Sequence, residues 1–329
     1  MFTIDDLDRA EAIVRAHMPA TPQYPWPLLA EELGTEVWVK HENHTPTGAF
    51  KVRGGLVHLD RLSQRSDLAG IIGATRGNHG QSLAFAGRAT GVPVVIVAPH
   101  GNSVEKNAAM RALGAELIEA GHDFQAALEH ASRIGEERGL LMVPSFHPDL
   151  VLGVATYARE LLCGAPTLDT VYVPIGLGSG ICALIIVRDL LGLPTEIVGV
   201  VSDRAPAYRL SFEAGAPVST DTAETFVDGV ACRVPNPEAV DIICRGAARV
   251  VEVQDEATAD AMRILHRTTH NTAEPAGAIA LAGAISERQR IAGRRIAVVI
   301  TGGNVDAPVL ASILAGHPPT SNPTPNPNS

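Results

Sequence analysis

The sequence predicts an α/β protein with two doubly wound domains whose sheets are mainly parallel. Short, nearly continuous apolar segments alternate with longer amphipathic ones, and glycine-rich turns join several of them, at 73–80, 176–180 and 301–303. Strands that are apolar along their whole length are buried on both faces, as in parallel sheets. Hydrophobic residues make up 46 % of the 329-residue chain and charged residues 19 %, so a sizeable core can form.

The apolar and amphipathic periodicities predict the elements in chain order. The strands are the β-branched runs at 36–41, 70–74, 93–98, 115–119, 140–144, 170–175, 196–201 and 295–300. The helices are the amphipathic segments at 5–17, 51–64, 79–90, 103–113, 123–138, 150–163, 180–191, 255–268 and 275–292. Strand–turn–helix repetition of this kind places ligand sites at the carboxyl ends of the strands.

Composition excludes several classes of function. The formal net charge of −10 and an aromatic content of 4 % disfavour a nucleic-acid partner. The four cysteines, which form no CxxC or CxxH pair, indicate neither a zinc frame nor a disulfide scaffold. The first residues are acidic where a signal peptide would be basic, and no apolar run is long enough for a bilayer. We therefore expect a cytoplasmic protein without a membrane partner.

The segment HENHTPTGAFKVRGG, at 41–55, follows a predicted strand and leads into a predicted helix. Lys51 stands in the first turn of that helix, where the helix dipole favours anions over cations. Such a position lowers the pKa of an amine, which suits a nucleophile. The alternative is an ordinary solvated lysine.

A second segment, GATRGNHGQS at 73–82, joins a strand to a helix. Its glycines let backbone N–H groups converge on an anion, and Asn78 and His79 add side-chain donors. An ordinary helix cap would have the same composition.

A third segment, VPIGLGSGI at 173–181, resembles a phosphate cradle at a helix N-terminus, although it matches neither GxGxxG nor the P-loop. Two further turns place polar groups beside glycines, at 274–277 and 301–304.

Together and in this order, these segments resemble the fold-type II enzymes that use pyridoxal 5′-phosphate (PLP), whose fold is like that of the tryptophan synthase β chain. Within that family they are similar to the serine/threonine dehydratase branch. The resemblance extends from about Thr21 to Asp306. Its most specific parts are TGxFKxRG around Lys51 and GNHGQ at 77–81. The subgroups that it resembles most are phenylserine dehydratase-like and hydroxyectoine-utilisation dehydratase-like proteins.

The resemblance implies a role for each matching residue. Lys51 corresponds to the catalytic lysine that binds PLP as a Schiff base, and Asn78 to the residue that hydrogen-bonds the 3′-oxygen. Thr301 corresponds to the hydroxyl at the pyridine nitrogen. The implied cofactor-binding set is Phe50, Lys51, Asn78, Gly176, Leu177, Gly178, Ser179, Gly180, Glu274 and Thr301. The implied substrate-binding set is Thr75, Arg76, Asn78 and His79.

The implied reaction is β-elimination of a β-hydroxy amino acid to a 2-oxo acid and ammonia, by an ammonia-lyase that is a homodimer. Alternatives are a racemase or β-replacement enzyme of the same fold, and a non-catalytic binding protein. Arg76 stands where serine racemases carry a serine that acts on the opposite face of Cα. Because arginine stays protonated, it is a poor base, which disfavours racemisation.

The resemblance also implies a domain division and no metal site. Large PLP-binding domain residues are expected at 1–64 and 148–315, a small inserted domain at 65–147, and a disordered tail at 316–329. Val201 and Ala207 occupy the positions of ligands in the divalent-cation site of eukaryotic serine racemases, so that site is expected to be missing.

Overall fold

The computed structural model of the chain describes residues 2–319, so part of the predicted tail, 320–329, lies outside the described residues. Contacts between Cα atoms divide the described chain into two compact units. One consists of residues 20–44 and 157–319 and contains a six-stranded sheet; we call it the six-stranded unit. The other consists of residues 2–19 and 45–156 and contains a four-stranded sheet; we call it the four-stranded unit. The predicted bounds of a PLP-binding domain and an inserted domain stay a prediction.

The described residues form strands and helices that alternate along the chain. The strands are β1 (Gln23–Pro25), β2 (Glu36–His41), β3 (Ile71–Ala74), β4 (Val94–Ala98), β5 (Glu116–Glu119), β6 (Leu141–Met142), β7 (Thr170–Pro174), β8 (Glu196–Ser202), β9 (Arg249–Val253) and β10 (Arg295–Ile300). The helices are α1 (Ile4–Arg15), α2 (Pro27–Leu33), α3 (Lys51–Ser63), α4 (Asn78–Thr90), α5 (Val104–Ala112), α6 (Phe124–Arg138), α7 (Pro148–Gly164), α8 (Ser179–Leu190), α9 (Ala207–Ala214), α10 (Pro237–Gly246), α11 (Asp255–Thr269), α12 (Pro275–Ser286), α13 (Arg288–Ile291) and α14 (Ala307–Leu314). Two 3₁₀ turns lie at Glu42–His44 and Asp228–Val230.

The sheet of the six-stranded unit has the order β1-β2-β10-β7-β8-β9, and only the pairing of β1 with β2 is antiparallel among its described strands. Helix α12 is apolar along most of its length, and its residues from Ala276 to Ala284 are buried. It packs against β7, β8 and β10 and supplies much of the core of this unit. Because β7 and β10 are parallel neighbours, the loops that follow them leave the same edge of the sheet.

The sheet of the four-stranded unit has the order β5-β4-β3-β6, and its described pairings are all parallel. Helix α6 packs against β3 and β4 over one hydrophobic cluster. A second cluster contains residues from α1, α3 and α4 together with Ile71 and Ile96 of the sheet. Both units therefore confirm the predicted class, doubly wound α/β layers with mainly parallel sheets.

Every predicted strand is present, and so is every predicted helix, although the segment 275–292 forms two helices, α12 and α13. The sequence reading missed strands β1 and β9 and helices α2, α9, α10 and α14. Within residues 2–319, none of the helices is both long and apolar enough to cross a bilayer.

Candidate active site

A tight turn positions Lys51 at the start of α3. The backbone N–H of Gly48 donates to the Thr45 carbonyl at 2.9 Å, and the N–H of Ala49 donates to Thr45 Oγ1 at 2.9 Å. Gly48 has φ of +67°, in the left-handed region that favours glycine. The TGxF part of the motif therefore forms this turn, and the turn leads the chain into α3 at Phe50 and Lys51.

The side chain of Lys51 is largely withdrawn from solvent, and burial lowers its pKa to about 8. Its Nζ lies 5.2 Å from the centre of the Phe50 ring. The chain has only two other lysines, Lys40 and Lys106. Lys40 is fully buried and pairs with Glu160 at 2.6 Å. The neutral amine is the form that acts as a nucleophile or as a base. The lowered pKa increases the fraction of Lys51 in this form close to neutral pH.

Helices α3 and α4 approach so closely that glycine is required at their crossing. A Cβ added to Gly55 would lie 2.3 Å from Ser82 Oγ. That hydroxyl donates to the Lys51 carbonyl at 2.6 Å. Gly55 and Ser82 lie within the two segments singled out in the sequence, but neither residue was predicted to have a role. Their contact joins the first turn of α3 to α4, whose N-terminus carries Asn78 and His79.

The loop after β3 brings Thr75, Arg76, Asn78 and His79 together beside the start of α4, as expected for the carboxyl end of a parallel strand. Thr75 is buried, and its Oγ1 accepts from the Gly77 N–H at 3.0 Å. Arg76 is exposed, and its carbonyl accepts from Asn102 Nδ2 at 3.1 Å. These contacts hold the loop backbone while leaving the Arg76 guanidinium at the surface.

His79 is buried with a neutral imidazole. Burial, followed by the cationic form of nearby Lys51, lowers its pKa to about 3. The backbone of Val143 hydrogen-bonds the ring, while Nε2 is buried without a hydrogen-bond partner within the protein. Since buried polar atoms are normally paired, Nε2 is a free acceptor suited to a ligand.

In the six-stranded unit, the loop after β7 needs glycine for two different reasons. A Cβ added to Gly176 would lie 2.3 Å from the carbonyl oxygen of Gly229, so no side chain fits. Gly178 has φ of +98°, which disfavours other residues. The hydroxyl of Tyr208 donates to the Leu177 carbonyl at 2.9 Å and accepts from the Asn236 N–H at 3.1 Å. The loop is therefore held from several sides.

The same loop runs into the N-terminus of α8 at Ser179 and Gly180, both buried. The Cys182 N–H donates to the Gly178 carbonyl at 3.0 Å, which connects the first turn of this helix to the loop. The N–H groups of a first helical turn point along the axis and attract anions. Tyr157 fixes the position of this turn by donating to the Gly180 carbonyl at 3.3 Å.

Thr301 and Glu274 lie near each other in the same unit. Thr301 follows β10, is buried, and donates from Oγ1 to the Ala276 carbonyl at 3.2 Å. Glu274 precedes α12, and its N–H donates to the Gly302 carbonyl at 3.0 Å. Gly277 permits this approach, because an added Cβ would lie 2.4 Å from the Gly302 carbonyl oxygen.

Comparison with known proteins decides the family. The sequence profile described as "Pyridoxal-phosphate dependent enzyme" matches residues 14–302. The chain belongs to this family. Its cofactor is therefore PLP, as the resemblance implied.

Curated relatives of this PLP enzyme are named ammonia-lyases. It is 30 % identical to an L-threonine ammonia-lyase of Thermotoga maritima, over 95 % of this chain and 78 % of that protein. It is also 30 % identical to an L-threo-3-hydroxyaspartate ammonia-lyase of a Pseudomonas species, over 94 % of this chain and 98 % of the relative. A solved structure of processed threonine deaminase isoform 2 from Solanum lycopersicum has a TM-score of 0.88 at 27 % identity, covering 95 % of this chain and 94 % of that one. The predicted fold, that of the fold-type II PLP enzymes, is confirmed.

The lowered pKa of Lys51 predicts a specific pH dependence of chemical labelling. In the cofactor-free protein, the rate at which trinitrobenzenesulfonate modifies Lys51 is expected to rise with a midpoint near pH 8, because only the neutral amine reacts. Mass spectrometry of the three lysine-containing peptides gives the rate for Lys51 alone. The matched control is the same protein in denaturant, where the midpoint should move towards 10.5, the value of an exposed lysine. Equal midpoints in the two states would show that folding does not depress this pKa.

Proposed function

We propose that this chain is a PLP-dependent ammonia-lyase that converts a β-hydroxy amino acid into a 2-oxo acid and ammonia. The observation that carries the proposal is the amine of Lys51, whose pKa is lowered to about 8 at the start of α3. It lies within the motif shared with the dehydratase branch, and relatives named ammonia-lyases align along almost the whole chain.

Both units contain residues that fit parts of PLP. For the phosphate, the loop from Gly176 to Gly180 offers backbone donors at the start of α8, in a space where a Cβ on Gly176 would collide with a carbonyl oxygen. For the ring, we assign Phe50, Asn78, Glu274 and Thr301 as its surroundings. For the aldehyde, we assign the Lys51 amine.

When bound, PLP accepts the electron pair left at the substrate Cα after that carbon loses its proton. The protein contributes the base: we assign Lys51 Nζ, once it no longer holds the cofactor, to take the Cα proton. An amine with a pKa of about 8 is matched to this task near neutral pH. Thr301 contributes a neutral hydroxyl rather than a carboxylate, so it adds no negative charge that would keep the pyridine nitrogen protonated.

We assign Thr75, Arg76, Asn78 and His79 to substrate binding, with the substrate carboxylate at the backbone donors of this loop. Backbone donors at the start of α4 suit an anion, and the buried Nε2 of His79 suits a hydrogen-bond donor such as the substrate ammonium or hydroxyl. Arg76 is exposed at the edge of this loop, where its permanent charge favours a substrate with a second anionic group.

The test is product release from the holoenzyme with L-serine, L-threonine, L-threo-3-hydroxyaspartate and L-threo-phenylserine. We expect equal amounts of ammonia and 2-oxo acid from at least one of them. Arg76→Gln should raise KM for hydroxyaspartate more than for phenylserine, which lacks a second carboxylate. Absence of ammonia from all four substrates, or racemisation without ammonia, would contradict the proposal.

Compartment and assembly are also proposals. We propose a cytoplasmic homodimer, as the family resemblance implies. The four cysteines, which are free thiols, support a reducing compartment. Light scattering of the holoenzyme should give twice the chain mass of 34.5 kDa, whereas a single chain mass would exclude the dimer.

The hydroxyl of Tyr208 is expected to support PLP binding by holding the loop from Gly176 to Gly180. Tyr208→Phe removes the bonds to the Leu177 carbonyl and the Asn236 N–H, while the ring still fills its buried position. Losing about 1 kcal/mol of loop stabilisation should weaken PLP binding about 5- to 10-fold. Equilibrium binding of PLP to the cofactor-free variant measures this. The matched control is Tyr24→Phe, an exposed tyrosine outside the loop, which should bind PLP as the wild type does.

A further inference from the structure

Three side chains that can ligate a metal converge in the four-stranded unit, and none of them has been assigned a role so far. His58 lies on α3, Asp149 lies in the first turn of α7, and His147 immediately precedes that helix. One ligand atom of each lies within 4.8 Å of the other two. His58 is buried, while His147 and Asp149 are partly exposed, so the cluster is reachable from solvent.

The spacing within the cluster is close to that of a metal complex. Nδ1 of His58 lies 3.2 Å from Asp149 Oδ2, and Nδ1 of His147 lies 3.6 Å from the same oxygen. In a tetrahedral zinc site, bonds of about 2.0–2.1 Å place neighbouring ligand atoms roughly 3.3–3.4 Å apart. The two separations from Asp149 Oδ2 lie on either side of that value, and a metal would replace the hydrogen bond between His58 Nδ1 and this oxygen.

The hydrogen bonds around the cluster already orient its lone pairs. The Asp149 N–H donates to His147 Nδ1 at 3.2 Å, so that nitrogen carries no proton, and a metal bound there would replace the N–H at its lone pair. Arg61 contacts the other carboxylate oxygen, Oδ1, and leaves Oδ2 directed at the two rings. His147 Nδ1 and Asp149 Oδ2 are therefore both acceptor atoms, 3.6 Å apart, and a cation between them could bind both.

We propose that His58, His147 and Asp149 bind a divalent transition-metal cation of the Zn²⁺ type. Two imidazoles and one carboxylate suit Zn²⁺, Co²⁺ or Ni²⁺ and do not suit Mg²⁺ or Ca²⁺, which prefer oxygen ligands alone. A bound ion would join the middle of α3 to the first turn of α7 and so stabilise the four-stranded unit. The site differs from the serine racemase cation position near Val201, which lies in the six-stranded unit.

The experiment is titration of the chelator-treated and dialysed holoenzyme with Co²⁺ alone, followed by absorption in the visible region beyond the cofactor band. We expect one Co²⁺ per chain with the intense bands of tetrahedral coordination, displaced by Zn²⁺. Zn²⁺ should also raise the thermal unfolding midpoint of the wild type. His147→Asn and Asp149→Asn should each weaken Co²⁺ binding about 100-fold or more.

The matched control is His122→Asn, which removes an exposed histidine that also lies beside an aspartate, 3.6 Å from Asp123. It should bind Co²⁺ as the wild type does. Circular dichroism checks that each variant is folded. If one of the two ligand variants does not fold, Co²⁺ binding by the other one tests the proposal. Absence of stoichiometric binding to the wild type would overturn the proposal. Unchanged binding in a folded ligand variant, or equal loss in His122→Asn, would also overturn it.

Discussion

Replacing Lys51 by alanine is expected to lower kcat for ammonia release by about 1,000-fold or more, because general base catalysis alone contributes on the order of 10²–10⁴. The same change removes the amine that we assign to hold PLP covalently, so the purified variant should also lose its bound-cofactor absorption. Lys51→Arg keeps the positive charge and much of the volume but not the neutral amine. It should be as inactive as Lys51→Ala, which separates the chemistry from the charge.

A control for this prediction lies just beyond the other end of α3. Arg65 is exposed and pairs with Asp67 at 2.8 Å. Since exposed ion pairs contribute little to stability, Arg65→Ala should keep the wild-type kcat and unfolding midpoint. If Lys51→Arg kept more than a tenth of the wild-type kcat, the assignment of Lys51 as base would be wrong.

Replacing Gly176 by alanine is expected to weaken PLP binding about 5- to 150-fold, the effect of about 1–3 kcal/mol of overpacking. The added Cβ would lie 2.3 Å from the Gly229 carbonyl oxygen, and backbone atoms move less readily than a flexible side chain. Either the Gly176 loop or the 3₁₀ turn Asp228–Val230 must therefore shift. Binding of PLP to the cofactor-free variant, measured by equilibrium dialysis, gives the loss.

The matched control is Gly192→Ala in the same unit. Gly192 has φ of +62° but nothing within 4 Å of an added Cβ, so alanine there costs about 1 kcal/mol of backbone strain without touching the loop. It should lower the unfolding midpoint slightly and leave PLP affinity unchanged. Equal affinities in Gly176→Ala and the wild type would show that this loop does not hold the phosphate.

The buried strands were predictable from sequence because burial on both faces makes them apolar along their length. Strand β4, with every residue buried, is one example. Strand β9 was missed because it lies at the sheet edge, where the partly buried Arg249 and Glu252 interrupt the apolar run. Helix α10 was missed although Asn236 caps it and Pro237 begins it, a pattern typical of helix N-termini. The sequence around Asn236 and Pro237 therefore does predict this helix.

The candidate site was predictable where it consists of short motifs and unpredictable where it depends on distant contacts. The turn at Gly48 and the glycines at 176 and 178 lie within segments whose composition indicates their geometry. Tyr208 was missed and Ser82 was given no role. A tyrosine that supports a loop 31 positions earlier has no local sequence pattern, nor has a serine that donates to a neighbouring helix. His58 and Asp149, which contact each other in the metal-ligand cluster, are likewise 91 positions apart along the chain.

The central claim is that Lys51 carries the cofactor, and borohydride reduction of the holoenzyme tests it most directly. Reduction makes the link between PLP and an amine permanent, and peptide mass mapping then identifies the modified residue among Lys40, Lys51 and Lys106. We predict a phosphopyridoxyl group on Lys51 in nearly every chain and none on the other two. A label on Lys40 or Lys106 instead, or no label in protein that holds PLP, would contradict the account.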